Sequence, residues 1–414
     1  MLCLSVLVLV GSIRVLSTLS GDSNLHLTES LSSLDFSGVL PERTIDDIPI
    51  QNASVSTAGQ PVQAAVTATP VPVGGQARLT FGGTVAAETA VRQSGYYSDT
   101  RLYDFSEIFS LLSDEIHSDY SMVVMENLVV PDAKVSDLIA PDEIMGMLRA
   151  GGFDGIALGF GKIYDKGFSG LTTTVQAAQE HQMDVLGAYM NEGDAALSNR
   201  IRMIGNIRIA FLHYTETLSS TGRKSLRKDS NSFAVPLLEQ AAQDIAVVRS
   251  QGAQVVIVSV NWGTAGKTEV TKAQKTAAAQ LCAAGADVII GNGPRRVQTV
   301  ERITATDVNG QEREALCAYS LGCLLSSSTK TLALQSILLH MDVRVDANAK
   351  VQISASYTPT FIWRYKHENV TRFRVIPANG GVPDGMSSDQ QKKMSAVVPS
   401  VEKILKDAAV VMEQ

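Results

Sequence analysis

The stretch from Ile289 to Glu301 reads IIGNGPRRVQTVE, an apolar strand end followed by a turn that carries Arg295 and Arg296. The turn itself holds no nucleophile, acid or histidine. A guanidinium offers a planar fork of donors that matches phosphate or carboxylate, so the chemistry open to this turn is anion binding rather than proton transfer. Other charged residues read more simply. Asp104 and Glu107 open a predicted helix and suit its cap. The SLRKDS run is predicted as a solvated loop tip, whose Arg223, Lys224, Arg227 and Lys228 would extend a basic rim. Trp262 follows a strand ending at Asn261 and suits packing. The sequence carries no serine nucleophile elbow and no phosphate-binding loop. GGTVAAE, after the first strand, lacks the glycine spacing of a dinucleotide site.

The elements that must position these residues are short β-branched runs alternating with helix-period segments. Strands are predicted at ARLTFGGTV, YSMVVMEN, FDGIALGF, MDVLGAY, IRIAFLHY, AQVVIVSVNW, ADVIIGN, ALCAYSLGCLL, SILLHMDVRV and VQISASYTP. Helices are predicted over Phe105–His117, Pro141–Ala150, Leu171–His181, Val235–Gln251 and Thr271–Ala284, with a last one over Met394–Val411. Strand and helix in this alternation imply an α/β fold whose loops at the strand C-terminal ends form the favoured site.

Residues 1–16 contain an apolar stretch, Leu2 to Ile13, of signal-peptide length, which predicts an export segment or membrane anchor. No Lys or Arg precedes it. Residues 17–76 are rich in Ser, Thr, Ala, Pro and Gly, a composition that cannot offset chain entropy by burial and so predicts a disordered linker. A domain over 77–377 and a helical extension over 378–414 follow. The 414 residues, 45% hydrophobic, can bury a large core, and a net charge of −7 argues against nucleic-acid binding. Cys282, Cys317 and Cys323 have no metal-site spacing and read as buried free thiols, with a Cys317–Cys323 bridge as the alternative.

Several loops, in order, resemble those of the CapA family of poly-gamma-glutamate capsule proteins, related to calcineurin-like metallophosphoesterases. They are LRAGGFDGIALG, YDKGFSGLTTTVQAAQEHQMDVLGA, SVNWGTAG, CAAGADVIIGNGPRRVQTVE and AYSLGCLL, with YTPTFIWRY and FRVIP near the end. The resemblance covers roughly residues 77–377. It implies an α/β/β/α two-sheet sandwich and, in the family, two divalent ions held by carboxylate, imidazole and amide ligands converging from strand ends.

The resemblance also implies where those ligands would stand. The first aspartate position holds Thr84. The segment after the second strand keeps Glu126, with Asn127 beside it. The Asn-Asn-His loop becomes Phe160-Gly161-Lys162, followed by Asp165. The His-Trp-Gly position holds Asn261 and Trp262, and the His-His-Pro-His loop holds Asn292, Gly293 and Arg295. All six histidines lie outside the matching loops. Glu126 and Asp165 are the only weak metal candidates, and no resident metal cofactor is expected. Three readings stay open. The altered loops are a solvated scaffold that binds a partner; or Lys162, Arg295 and Arg296 hold an anion, such as phosphate, a carboxylate polymer or a wall glycan; or Glu126, Asp165 and Asn261 hold one ion in a hydrolase. The expectation is an exported, surface-associated protein without metallophosphoesterase activity.

Overall fold

In the computed structural model, residues 74–413 are described, except 132, 135, 368 and 407; the predicted leader and nearly all of the predicted linker lie outside the described residues. The described residues fall in one unit, Ala68–Gln414. The first half of the fold contains β1 (Gly75–Val85), α1 (Thr89–Gly95), β2 (Tyr120–Met125), α2 (Glu143–Ala150), β3 (Gly155–Ala157), α3 (Gly167–Glu180) and β4 (Asp184–Leu186). The four strands lie side by side and parallel. A second sheet follows from β5 (Ile201–Ile204), β6 (Ile207–Thr215), α4 (Ser220–Asp229), α5 (Ala241–Ser250), β7 (Val255–Asn261), α6 (Lys272–Ala284), β8 (Val288–Asn292), β9 (Val300–Thr306) and β10 (Glu312–Ala318). Its order is β9-β10-β8-β7-β6-β5, with β6, β7, β8 and β10 parallel.

The chain then returns to the first sheet through β11 (Cys323–Leu325), β12 (Gln335–Val345), β13 (Val351–His367) and β14 (Val370–Pro377), and closes with α7 (Ser388–Ser395), α8 (Val397–Ile404) and β15 (Val411–Met412). That sheet runs β14-β13-β12-β1-β2-β3-β4, with β11 beside β1 and β15 beside β13.

Side-chain alternation explains the layering. In β7, Val255 and Ile257 share a core with Leu79, Phe81, Met122 and Phe211, whereas Val256, Val258 and Val260 join Ile245 of α5 and Leu281 of α6. One face of the second sheet therefore meets the first sheet and the other meets helices. Tyr120 of β2 and Phe211 of β6 touch across the interface, ring centroids 4.8 Å apart. On the first sheet's side, α2 and α3 bury Ile144, Leu148, Leu171 and Val175. The result is the expected α/β/β/α sandwich.

Five expectations need correction. Over Phe105–His117 the chain makes successive turns and only a short 3₁₀ segment, Ser113–Ile116. Repeated three-residue turns bury Phe105, Ile108, Phe109, Leu112 and Ile116 at nearly helical spacing. The Ile108 carbonyl accepts from Val375 N of β14, 2.7 Å away, rather than from a helical turn. Asp104 accordingly accepts from Ser106 N at 2.8 Å and Glu107 pairs with Arg374, so neither caps a helix.

The SLRKDS run forms the C-terminal half of α4 and its left-handed cap, Ser230, rather than a loop tip. Ser219 caps that helix by accepting from Gly222 N at 2.9 Å. The last predicted helix is broken at Ala396, between α7 and α8; Pro399, in the first turn of α8, has no N–H to bond back to the preceding turn, and the segment ends as β15 on the sheet. β1 begins at Gly75, inside the predicted linker. Cys282, Cys317 and Cys323 are buried and free, so the alternative bridge is not formed.

Candidate functional site

The parallel strands of both sheets end on one side, and their C-terminal loops surround a cavity of about 460 Å³ lined by Glu88, Glu126, Lys162, Asn261, Trp262 and Arg295, among others. Register builds this convergence. Thr84 of β1 pairs with Val124 of β2, which places Glu126 just beyond the strand end. Thr215, Asn261 and Asn292 occupy one row across β6, β7 and β8.

The turn after β8 aims Arg295 back into this cavity. Gly293 has φ of 110° and Arg295 itself φ of 52°, a left-handed conformation that few side chains adopt. The Pro294 carbonyl is held by Gly266 N at 2.7 Å. Arg295 then donates from Nε and Nη2 to the same Glu126 oxygen, at 2.8 and 2.5 Å, and from Nη1 to Glu88 at 3.1 Å. The other Glu88 oxygen accepts from the Ser327 amide at 2.8 Å and its hydroxyl at 2.6 Å. Burial by itself would lower the Arg295 pKa, but the Glu126 and Glu88 carboxylates outweigh it and raise it. The strained turn is thus stabilised by an ion-pair triad of one guanidinium and two carboxylates.

The remaining candidates divide between the cavity and the framework. Lys162 is exposed at the cavity edge, and its ammonium makes no hydrogen bond or ion pair among the described residues. Arg296 turns back and donates to the Arg295 carbonyl at 2.7 Å. Asp165 is not brought to Glu126. It accepts from the Ser219 hydroxyl at the start of α4. Asn127 is a buried clamp that accepts from Ala87 N at 2.7 Å and donates to the Asp137 carbonyl at 3.2 Å. Trp262 is buried, stacks on Tyr319 and donates to the Tyr319 carbonyl at 2.9 Å, the expected packing role. Of the predicted positions, the cavity gathers Glu126, Lys162, Asn261, Trp262 and Arg295.

Two features escaped sequence reasoning. Glu88, which completes the triad, was visible only as the last residue of GGTVAAE and had no spacing signal. His213 is the second, since an imidazole does reach these loops although none belongs to them. It projects from β6 between the sheets, its Nδ1 2.9 Å from Ser259 Oγ and its Nε2 2.9 Å from the Gly159 carbonyl in the loop after β3. A β-carbon at Gly159 or Gly187 would overlap this ring, which accounts for both glycines. Burial pushes the His213 pKa down to about 4, so it is a neutral group at pH 7. Asn292 donates to Ser259 Oγ at 3.4 Å. Its side-chain Oδ1, Thr84 Oγ1 and Thr215 Oγ1 are buried without hydrogen-bond partners among the described residues.

The family described as bacterial capsule synthesis protein PGA_cap matches residues 78–328, a span that begins in β1 and ends just after β11. Capsule biosynthesis protein CapA of Bacillus anthracis is 23% identical over 220 residues, 52% of this chain and 50% of that protein. PGA biosynthesis protein CapA of Bacillus subtilis (strain 168) is 20% identical over 190 residues, 46% of this chain and 47% of that protein. The chain spans about half the length of these curated relatives. With the match covering more than half of its residues and all the strands that frame the cavity, the chain belongs to the bacterial capsule synthesis protein PGA_cap family.

Proposed function

We propose that this protein is a non-hydrolytic member of its family that serves capsule or poly-gamma-glutamate handling in the cell envelope, with Arg295 standing where the family resemblance implies metal charge. The observation that carries this reading is the Arg295–Glu126–Glu88 triad. A two-ion centre needs several anionic donors free to converge. Glu126 is engaged twice by a guanidinium, Asp165 is bonded elsewhere, and Thr84, Asn261 and Asn292 are neutral. A fixed cation among these groups also repels a divalent ion, so the residues present do not fit the family's metal pair. Capsule biosynthesis relatives support an envelope association. Among the described residues, no helix is long and apolar enough to cross a membrane, so export and anchoring would rest on the leader.

The anion-binding reading survives in reduced form. Arg295 already has two carboxylates and Arg296 folds onto the backbone, which leaves Lys162 as the cation facing the cavity edge. A carboxylate polymer meeting that edge would contact Lys162 first.

Metal analysis tests the main reading. The whole chain, dialysed against Mn²⁺ and assayed for bound metal and phosphodiester hydrolysis, is expected to show no manganese that Glu126→Gln removes and no turnover. Stoichiometric manganese lost in Glu126→Gln, or hydrolysis abolished by it, would overturn the proposal.

A further inference from the structure

The first sheet carries a second polar cluster on the face opposite the inter-sheet core, far along β12 from the capsule-family loops. His340 of β12 stands across from Thr80 of β1, with its Nδ1 3.1 Å from Thr80 Oγ1. Its Nε2 lies 3.1 Å from Thr358 Oγ1 and 3.9 Å from Glu413 Oε2. The Thr358 hydroxyl in turn donates to Glu115 Oε2 at 3.1 Å. One ligand-type atom from each of Glu115, His340 and Glu413 lies within 4.8 Å of the other two, the only such group of three or more among the described residues.

We infer that Glu115, His340 and Glu413 form a binding site for a first-row divalent cation of the zinc type, which fastens the C-terminal strand and the 3₁₀ segment Ser113–Ile116 to the outer face of the sheet. The donor set is one imidazole and two carboxylates, with the Thr358 hydroxyl or water able to complete four-coordination. The imidazole is already oriented. Thr358, whose one hydroxyl hydrogen goes to Glu115, accepts from Nε2–H while no ion is bound; an ion in that place moves the proton to Nδ1, where Thr80 can accept it, and takes the Nε2 lone pair, the arrangement that ligating histidines commonly use.

Charge favours the same occupant. Glu115, Glu413 and Asp342 stand against one guanidinium, Arg78, a surplus of two negative charges. Arg78 and Ser356 both bond Glu413 Oε1, each at 2.5 Å, which leaves Oε2 for the ion. Glu115 and Glu413 are only half-buried, so the site opens to solvent.

The test is calorimetric titration of the EDTA-stripped whole chain with Zn²⁺ at pH 7.5. One equivalent is expected to bind, raising the melting temperature, and Glu115→Gln and Glu413→Gln should each weaken binding at least about tenfold. Glu115→Gln alters a partly exposed side chain and keeps the fold readable where His340→Ala does not. Glu126→Gln should leave the zinc isotherm unchanged. No saturable zinc binding by the wild type, or wild-type affinity retained in either glutamine variant, would overturn the inference. Zinc lost in Glu126→Gln but retained in Glu413→Gln would overturn it together with the non-hydrolytic reading, whereas the reverse pattern supports both.

Discussion

Arg295 illustrates how a residue can be legible in type and misleading in role. Its position in the NGPRR turn marks it as a cation at a strand end, and the natural reading is a group waiting for an external anion. The partners that satisfy it come from elsewhere in the chain: Glu126 lies 169 positions away and Glu88 207. No local pattern announces such pairing, because the parallel strands alone bring the three loops together. The triad's worth is measurable. The side chains are partly screened, with 29% of Arg295, 23% of Glu88 and 11% of Glu126 exposed. Arg295→Ala should therefore destabilise by about 2 kcal/mol, below the range for a fully buried pair, because it leaves two carboxylates facing each other. Glu126→Gln should cost less, since Glu88 still pairs with the arginine. A double-mutant cycle between these positions, read by urea unfolding, should give a coupling above about 1 kcal/mol. Additive effects would mean that the guanidinium and Glu126 do not interact in solution.

At the scale of elements, the sequence was read best where burial imposes a period. The predicted strands around Tyr120–Met125, Ile207–Thr215, Val255–Asn261 and Val288–Asn292 are present because both of their faces are buried and β-branched residues fill them. Phe105–His117 failed because the Ile108 carbonyl bonds a distant strand, a tertiary choice that helix periodicity cannot register. α6 succeeded for local reasons. Thr271 accepts from Gln274 N at 3.2 Å while Gln274 Oε1 accepts from Thr271 N at 3.0 Å, a reciprocal cap, and Gly285 closes the other end at φ of 113°. Gln274 also donates to Gln298 Oε1 at 2.9 Å, and Gln298 holds the Lys267 and Glu269 carbonyls, so the cap is tied to the loop after β7. Thr271→Ala should cost about 1 kcal/mol in unfolding free energy. Gln274→Ala should cost more and raise hydrogen exchange in the 264–270 loop. Equal costs, with no change in that loop, would show that the two glutamines are not coupled.

The whole sandwich depends on keeping polar groups neutral between and outside its sheets, and this makes its stability a function of pH. His213 sits where β6 faces the first sheet, and burial lowers its pKa from the ordinary 6.5 to about 4, with the Gly159 carbonyl only partly opposing. Below pH 6.5 the unfolded chain takes up a proton that the folded chain refuses, so this contribution is complete above that value and is lost as the pH falls toward 4. Linkage puts the loss from His213 at about 2 kcal/mol between pH 7.5 and 5. His340 is lowered to about 4 as well and acts in the same direction. Glu413 adds to the acid lability, because Ser356 and Arg78 hold its carboxyl below the usual range although burial would raise it. Asp244 and Asp287 have pKa values raised by burial and oppose the trend, so the total slope does not isolate any one group. The difference between proteins does. His213→Gln can still bond Ser259 and the Gly159 carbonyl but does not titrate. Its unfolding free energy, measured with urea at half-unit steps, should start below the wild type at pH 7.5 and converge with it by about 2 kcal/mol toward pH 5. Curves that stay parallel across that interval would mean that His213 is protonated at no extra cost inside the fold, and that the space between the sheets is open to water.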